Sequence, residues 1–183
     1  MKKLISCLLS LCMLLSLIGA CMIGTSAAEA TDFDLWDGTT TDTSWFAADK
    51  DYFELDTAAK LAGLAYLANE YQGADHKDPG AFVGKTFVIT KNIDLGGHQW
   101  TPIGISNNYA FAGMLEGKLG GLDGAAVTIA NMKIGTEEAP HTTKNVGLVG
   151  SQGAGGIKNI YLTGAYINTS ADTAGSFVGY SRP

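Results

Sequence analysis

The chain is poor in the raw materials of catalysis. It has one arginine (Arg182), three histidines and three cysteines. The cysteines, Cys7, Cys12 and Cys21, all lie near the N-terminus. Removal of that segment leaves no thiol, which excludes disulfides, thiol catalysis and cysteine-ligated zinc from the remainder. Basic charge is scarce as well: 12 Lys and Arg against 18 Asp and Glu give a net charge of -6. A basic nucleic-acid-binding surface is thereby excluded. Proline is rare, at 4 residues. What is abundant is glycine, 24 of 183 residues, in a chain that is 46% hydrophobic. The glycines lack the three-residue period of collagen, and the apolar content is too high for a disordered chain. The length is that of one domain, or of one domain plus a leader.

Residues 1–30 read as that leader. Met1-Lys2-Lys3 precedes an uncharged apolar run from Leu4 to Ile23, and small residues continue to Ala30. This is the three-part pattern of a secretory signal peptide, with Ala28-Glu29-Ala30 as an A-x-A cleavage site. Two other uses of the segment stay open. The apolar run is about long enough to act as an uncleaved membrane anchor. Ile18-Gly19-Ala20-Cys21 is similar to a bacterial lipobox, in which case Cys21 carries a lipid. Apolar Met22-Ile23 after the cysteine, and the good site downstream, favour ordinary cleavage. All three place the protein outside the cytoplasm, secreted or at the cell surface.

Residues 31–79 read as a strand and helix region that caps the C-terminal half of the chain. Phe33, Trp36, Trp45, Phe46, Tyr52 and Phe53 make it aromatic, and Asp37-Gly38 signals a turn. Short strands or a hairpin are expected there. Asp56-Thr57 caps a helix running to about Glu70. Leu61, Leu64, Ala65 and Ala68 give that helix one apolar stripe, widened by Leu67.

Residues 80–183 change character, with short β-prone runs between glycines: Thr86–Thr90, Ile93–Leu95, Val127–Ile129, Met132–Ile134, Ile160–Leu162 and Phe177-Val178. Two features echo. Ile129–Ile134 resembles Ile157–Leu162, with Asn131 and Asn159 spaced 28 apart. Val146–Gly150 resembles Gly175–Gly179, with the closing glycines 29 apart. A period of that length belongs to solenoids. Helical repeats need two amphipathic helices per unit, which are absent, and an antiparallel sandwich needs no such echo. The expected fold is therefore mainly β: a right-handed parallel β-helix of few coils with an N-terminal α-helical and aromatic cap. Ile129 is expected beneath Ile157 and Val149 beneath Val178, at the strand spacing of about 4.8 Å. Asn131 and Asn159 are expected at one shared corner.

These residues resemble the bacterial surface proteins that carry GLUG motifs, named for Gly-Leu-(variable)-Gly. Gly147-Leu148-Val149-Gly150 matches the motif, and Ser176-Phe177-Val178-Gly179 is a degenerate copy. Upstream, Leu55–Asn69 is similar to that group's helix, and Gly84–Ile89 to its next strand. Ile93-Asp94-Leu95 with Trp100–Gly104, and Phe111–Gly117, resemble its D-I-D-L…W-x-P-I-G and F-x-G-x-[FL]-[DE]-G segments. The resemblance spans most of residues 36–181. It implies an exported bacterial module with right-handed β-helical structure and no defined activity. Only two motif copies are present, which opens the reading of a truncated fragment of a larger surface protein.

A glycan-cleaving β-helix needs clustered carboxylates and a strong base. After Gly80 the acids are Asp94, Glu116, Asp123, Glu137, Glu138 and Asp172, scattered along the chain. Asp94 reads as a strand-end residue bonding the Gly96-Gly97 turn, and Gly120–Gly124 as a plain turn rather than a calcium-binding β-roll. His76, His98 and His141 each fall in loop-like sequence, and no H-E-x-x-H, G-x-S-x-G or P-loop motif occurs. No metal, cofactor or catalytic residue is expected. Trp100 with Pro102 is the one candidate binding pair, as an aromatic sugar platform, against the plainer reading of a loop anchor. The expected function is a non-enzymatic, adhesin-type surface module that binds host or matrix glycans or proteins. A glycan-cleaving enzyme is the alternative, and a cleft holding two carboxylates within about 10 Å would favour it.

Overall fold

The computed structural model describes residues 32–70, 82–106 and 110–182. The leader, with its cleavage site and Cys21, lies outside them, as does His76. All described strands and the helix belong to one unit, Asp32–Pro183.

Among the described residues twelve short strands form four sheets, and every pairing is parallel. One sheet has β1 (Phe33–Leu35), β4 (Asn92–Asp94), β6 (Val127–Ala130) and β10 (Ile160–Thr163), in that order. A second has β2 (Tyr52–Leu55), β3 (Thr86–Ile89), β5 (Met114–Gly117) and β9 (Gly156–Lys158). Two further pairs join β7 (Lys133–Ile134) to β11 (Tyr166–Ile167) and β8 (Val149–Gln152) to β12 (Val178–Ser181). Each expected strand run from Thr86 onward overlaps one of these elements.

The helix α1, Ala58–Glu70, starts where its cap places it. Thr57 Oγ1 accepts the Lys60 N–H at 3.3 Å, and the Asp34 carboxylate accepts the Ala58 N–H at 2.6 Å. Those two contacts satisfy donors that a helix start leaves orphaned. Asp56 and Lys60, four residues apart, form an ion pair at 2.7 Å.

The core is one cluster. Leu61, Leu64 and Leu67 of α1 join Phe53, Phe87, Ile93, Leu115, Ile129 and Val149 from the sheets. Phe53 and Phe87 stack at 5.2 Å, and Trp45, Phe46, Phe82 and Phe111 surround them. Lys85 is buried beside this cluster. Its ammonium donates to the carbonyls of Lys50 at 2.6 Å and Ala48 at 2.9 Å and to the Asp51 carboxylate at 3.1 Å. These three oxygens meet the requirement that a buried charge be paired and hydrogen-bonded.

Several expectations are corrected here. The architecture is mixed α/β with several short parallel sheets, not a mainly-β right-handed parallel β-helix with a cap. The helix is part of the core, with eight of its 13 residues buried. The chain between paired strands is also uneven, as the partners Phe33 with Asn92, Thr86 with Met114 and Met114 with Gly156 demonstrate. No single repeat length governs the whole. The aromatic N-terminal segment forms no hairpin: β1 and β2 enter different sheets.

The echo at the second motif holds, since Val149 pairs with Val178 in register. The echo at the asparagines does not. Ile129 pairs with Leu162, and Ile157 pairs with Leu115 in the other four-stranded sheet. Asn131 and Asn159 therefore turn different corners. Asn131 donates its N–H to Thr163 O at 2.9 Å, whereas the Asn159 carbonyl accepts from Val127 at 3.0 Å. Both have left-handed φ, 56° and 55°. The shared pattern is that of a strand, a left-handed Asn and another strand, which is a corner signature and not a period.

Candidate functional site

The loop Trp100–Gly104 lies against the end of α1, and Asn69 fixes it there. The Asn69 side chain donates to Pro102 O at 2.9 Å and accepts from the Ile105 N–H at 2.9 Å. Between helix and loop is a pocket of about 230 Å³, lined by Trp36, Thr41, Ala62, Ala65, Tyr66, Asn69, Glu70, Trp100 and Thr101. Its walls are largely apolar, with a few polar groups. That is the usual lining of a small-molecule site, at a size below the range for drug-like ligands.

Trp100 is only 3% exposed. Its ring meets Trp36 edge to face at 5.9 Å, and its Nε1 donates to Leu148 O at 3.2 Å. The Trp36 Nε1 likewise donates to Thr40 O at 2.9 Å. Both indole donors are satisfied inside the protein, so the tryptophans supply wall and rigidity rather than an open platform. Pro102, within the same loop, is buried. The accessible aromatic is Tyr66, at 52% exposure. Sequence reasoning missed Tyr66, Asn69 and Thr41. A signal for Tyr66 was present: in LAGLAYLAN it is the one aromatic lying off the apolar stripe.

The motif glycines serve backbone approach. A Cβ on Gly150 would sit 2.6 Å from both Asn145 O and Gly104 O, and one on Gly147 2.6 Å from Gly175 O. On Gly179 it would sit 2.5 Å from the Val146 N. Leu148 and Val149 are fully buried between them and donate their N–H groups to Ser176 O and Phe177 O at 3.0 and 2.8 Å. Phe177 is partly exposed, at 37%, and Val178 half-buried. These residues hold neighbouring strands together.

Charge is concentrated at one place. Buried Glu116 pairs with Lys158 at 3.1 Å and lies 3.8 Å from Lys118, which also binds Asp123 at 2.7 Å. Glu116 and Asp123 thus share one ammonium, that of Lys118. The hydrogen bond from Lys118 holds Asp123 below the usual carboxylate range, and the same bond raises Lys118. A general acid needs a raised carboxyl pKa, and a general base amine a lowered one. Here both shifts run the other way, as ion pairing requires.

The remaining sequence candidates are turn builders. Asp94 accepts from the Gly96 N–H at 2.8 Å and from Asn131 Nδ2 at 2.9 Å. Gly120 and Gly121 lie in a single 3-10 turn, Leu119–Gly121. His98 packs against Trp36, and His141 bonds the Thr143 hydroxyl. Among the described residues no group of three or more His, Cys, Asp or Glu is placed to hold a metal ion, and no helix is long and apolar enough to cross a membrane. Compared with protein-family models, curated proteins and solved structures, the chain gives no match.

Proposed function

We propose that the protein is an exported, surface-associated module of the GLUG-motif kind that binds an extracellular glycan without cleaving it. The pocket between α1 and the Trp100 loop carries this reading. Tyr66 offers an accessible ring for the apolar face of a sugar, while Thr41, Asn69, Glu70 and Thr101 supply the few polar groups that orient hydroxyls. The scaffold around the pocket is fixed by the Asn69 bridge and the two tied indoles, so little ordering opposes binding. The leader and the surface-protein resemblance support an extracellular partner.

The test is a glycan and matrix-protein array probed with the Asp32–Pro183 unit, then titration of the best glycan. Binding is expected, with Tyr66→Ala weakening it at least tenfold at unchanged thermal stability, since Tyr66 is outside the core. Equal binding by Tyr66→Ala excludes the pocket as the site. Release of new reducing ends from the bound glycan favours the enzymatic alternative.

A further inference from the structure

The described lining of the pocket beside Tyr66 divides by burial. Trp36, Ala62, Ala65 and Trp100 are buried and form an inner wall, while Thr41, Tyr66, Glu70 and Thr101 are exposed at the rim. The inner side chains are two indoles and two methyl groups. Neither indole has a donor to spare, since Trp36 Nε1 donates to Thr40 O at 2.9 Å and Trp100 Nε1 to Leu148 O at 3.2 Å. Asn69 is half-buried, and its amide nitrogen and oxygen are engaged with Pro102 O and the Ile105 N–H. The hydroxyls of Thr41 and Thr101 belong to the rim. A ligand hydroxyl pressed against the inner side chains therefore leaves water without gaining a partner from them, which is unfavourable. A methyl group in the same place leaves water at a gain.

We infer that the sugar this pocket takes carries a methyl group, and that the methyl enters against Trp36, Ala62, Ala65 and Trp100; the inference rests on the glycan reading of the same site. Two kinds of sugar unit present such a group. The 6-deoxyhexoses carry it on the ring, and the N-acetylhexosamines carry it on their amide. In either, the ring hydroxyls stay at the rim, where the threonine hydroxyls and the Tyr66 ring meet them. Size agrees with a single unit. An apolar cavity of about 150 Å³ takes one benzene ring. The volume here, about 230 Å³, is on the scale of one sugar ring with its substituents. The wall also sets how sharp the selection is. An apolar site discriminates against an added hydroxyl by about a hundredfold at most. This pocket is open on its rim side, so a discrimination of about tenfold is expected of it.

The experiment is a calorimetric titration of the Asp32–Pro183 unit, which contains every described strand and the whole core, with two matched pairs of sugars. One pair is L-fucose and L-galactose, and the other is N-acetylglucosamine and N-glycolylglucosamine. Within each pair the second sugar adds one hydroxyl to the methyl carbon and changes nothing else. In one pair the methyl sugar is expected to bind about tenfold more tightly than its partner, and that pair identifies the class. Tyr66→Ala is expected to weaken the preferred sugar at least tenfold, which places the binding in this pocket. Partners that bind alike in both pairs, or more tightly when hydroxylated, overturn the inference; if Tyr66→Ala still weakens them, the glycan reading stands. Failure of all four sugars while an array glycan binds through Tyr66 has the same meaning. Binding that Tyr66→Ala leaves unchanged overturns the glycan reading, and the inference with it.

Discussion

The glycines of the repeated motif are explained by distance rather than by turn chemistry. Gly150 stands where two carbonyl oxygens, from Asn145 and Gly104, come within 2.6 Å of any added methyl. Gly153, three residues on, meets nothing nearer than 3.5 Å. The pair makes a controlled comparison. Gly150→Ala is expected to lower stability by about 1–3 kcal/mol through overpacking, while Gly153→Ala stays within about 0.5 kcal/mol. Urea unfolding of the two variants checks this, and equal midpoints contradict it. At this scale the sequence was informative. The motif glycines stand out as a repeated group, and Asp94 reads correctly as the acceptor for its own glycine turn. What could not be read was why Asn131 and Asn159 look alike. A left-handed asparagine between two short strands has the same local pattern in whichever sheet it lies.

Among the elements, α1 is the most legible and the most tightly bound to its surroundings. Its cap sets its start at Ala58, and its apolar stripe marks the face it buries. Its one internal glycine, Gly63, presses on the segment before β2, where an added Cβ would collide with Asp42 O. In an isolated helix Gly to Ala gains about 1 kcal/mol. Here Gly63→Ala is expected to destabilise the protein despite that gain, with a lower melting temperature by calorimetry. A higher one would mean that the Asp42 segment yields freely. The strand runs are also legible individually, because Thr86–Ile89 and Val127–Ala130 are bounded by turn residues and rich in β-branched side chains. Their partners are not. Loop lengths vary between paired strands, and local periodicity carries no record of them, so the pattern points Ile129 to Ile157 when its true partner is Leu162.

For the whole molecule, the scattered acids set the response to pH. The Thr40 hydroxyl, then the N–H groups of Thr40 and Thr39, hold the Asp37 carboxyl below its ordinary range. Ser44 does the same for Asp42, Lys60 for Asp56, and Lys118 for Asp123. Each folded-state pKa is thus below its unfolded value. Their stabilisation is complete above the ordinary carboxylate pKa of about 4 and is lost as pH falls through the lowered values. The melting temperature is expected to be flat through neutral pH and to fall below about pH 4, modestly because these groups face solvent. A melting temperature that rises on acidification contradicts the assignment. The pocket belongs to this scale as well. Trp100 is visible in the sequence as an aromatic beside Pro102, but Tyr66 and Asn69 reach it only because the helix end docks on that loop, a long-range contact that no local pattern encodes.

Whether this pocket holds an extracellular glycan and leaves it intact is read by a nuclear magnetic resonance titration of the Asp32–Pro183 unit with the best array glycan. Shifts are expected to be confined to Tyr66, Asn69, Thr101 and the Trp36 and Trp100 indole N–H signals, with the glycan recovered uncut. Shifts centred instead on Glu116, Lys118 and Asp123, with new reducing ends appearing, would overturn the binding role and favour cleavage.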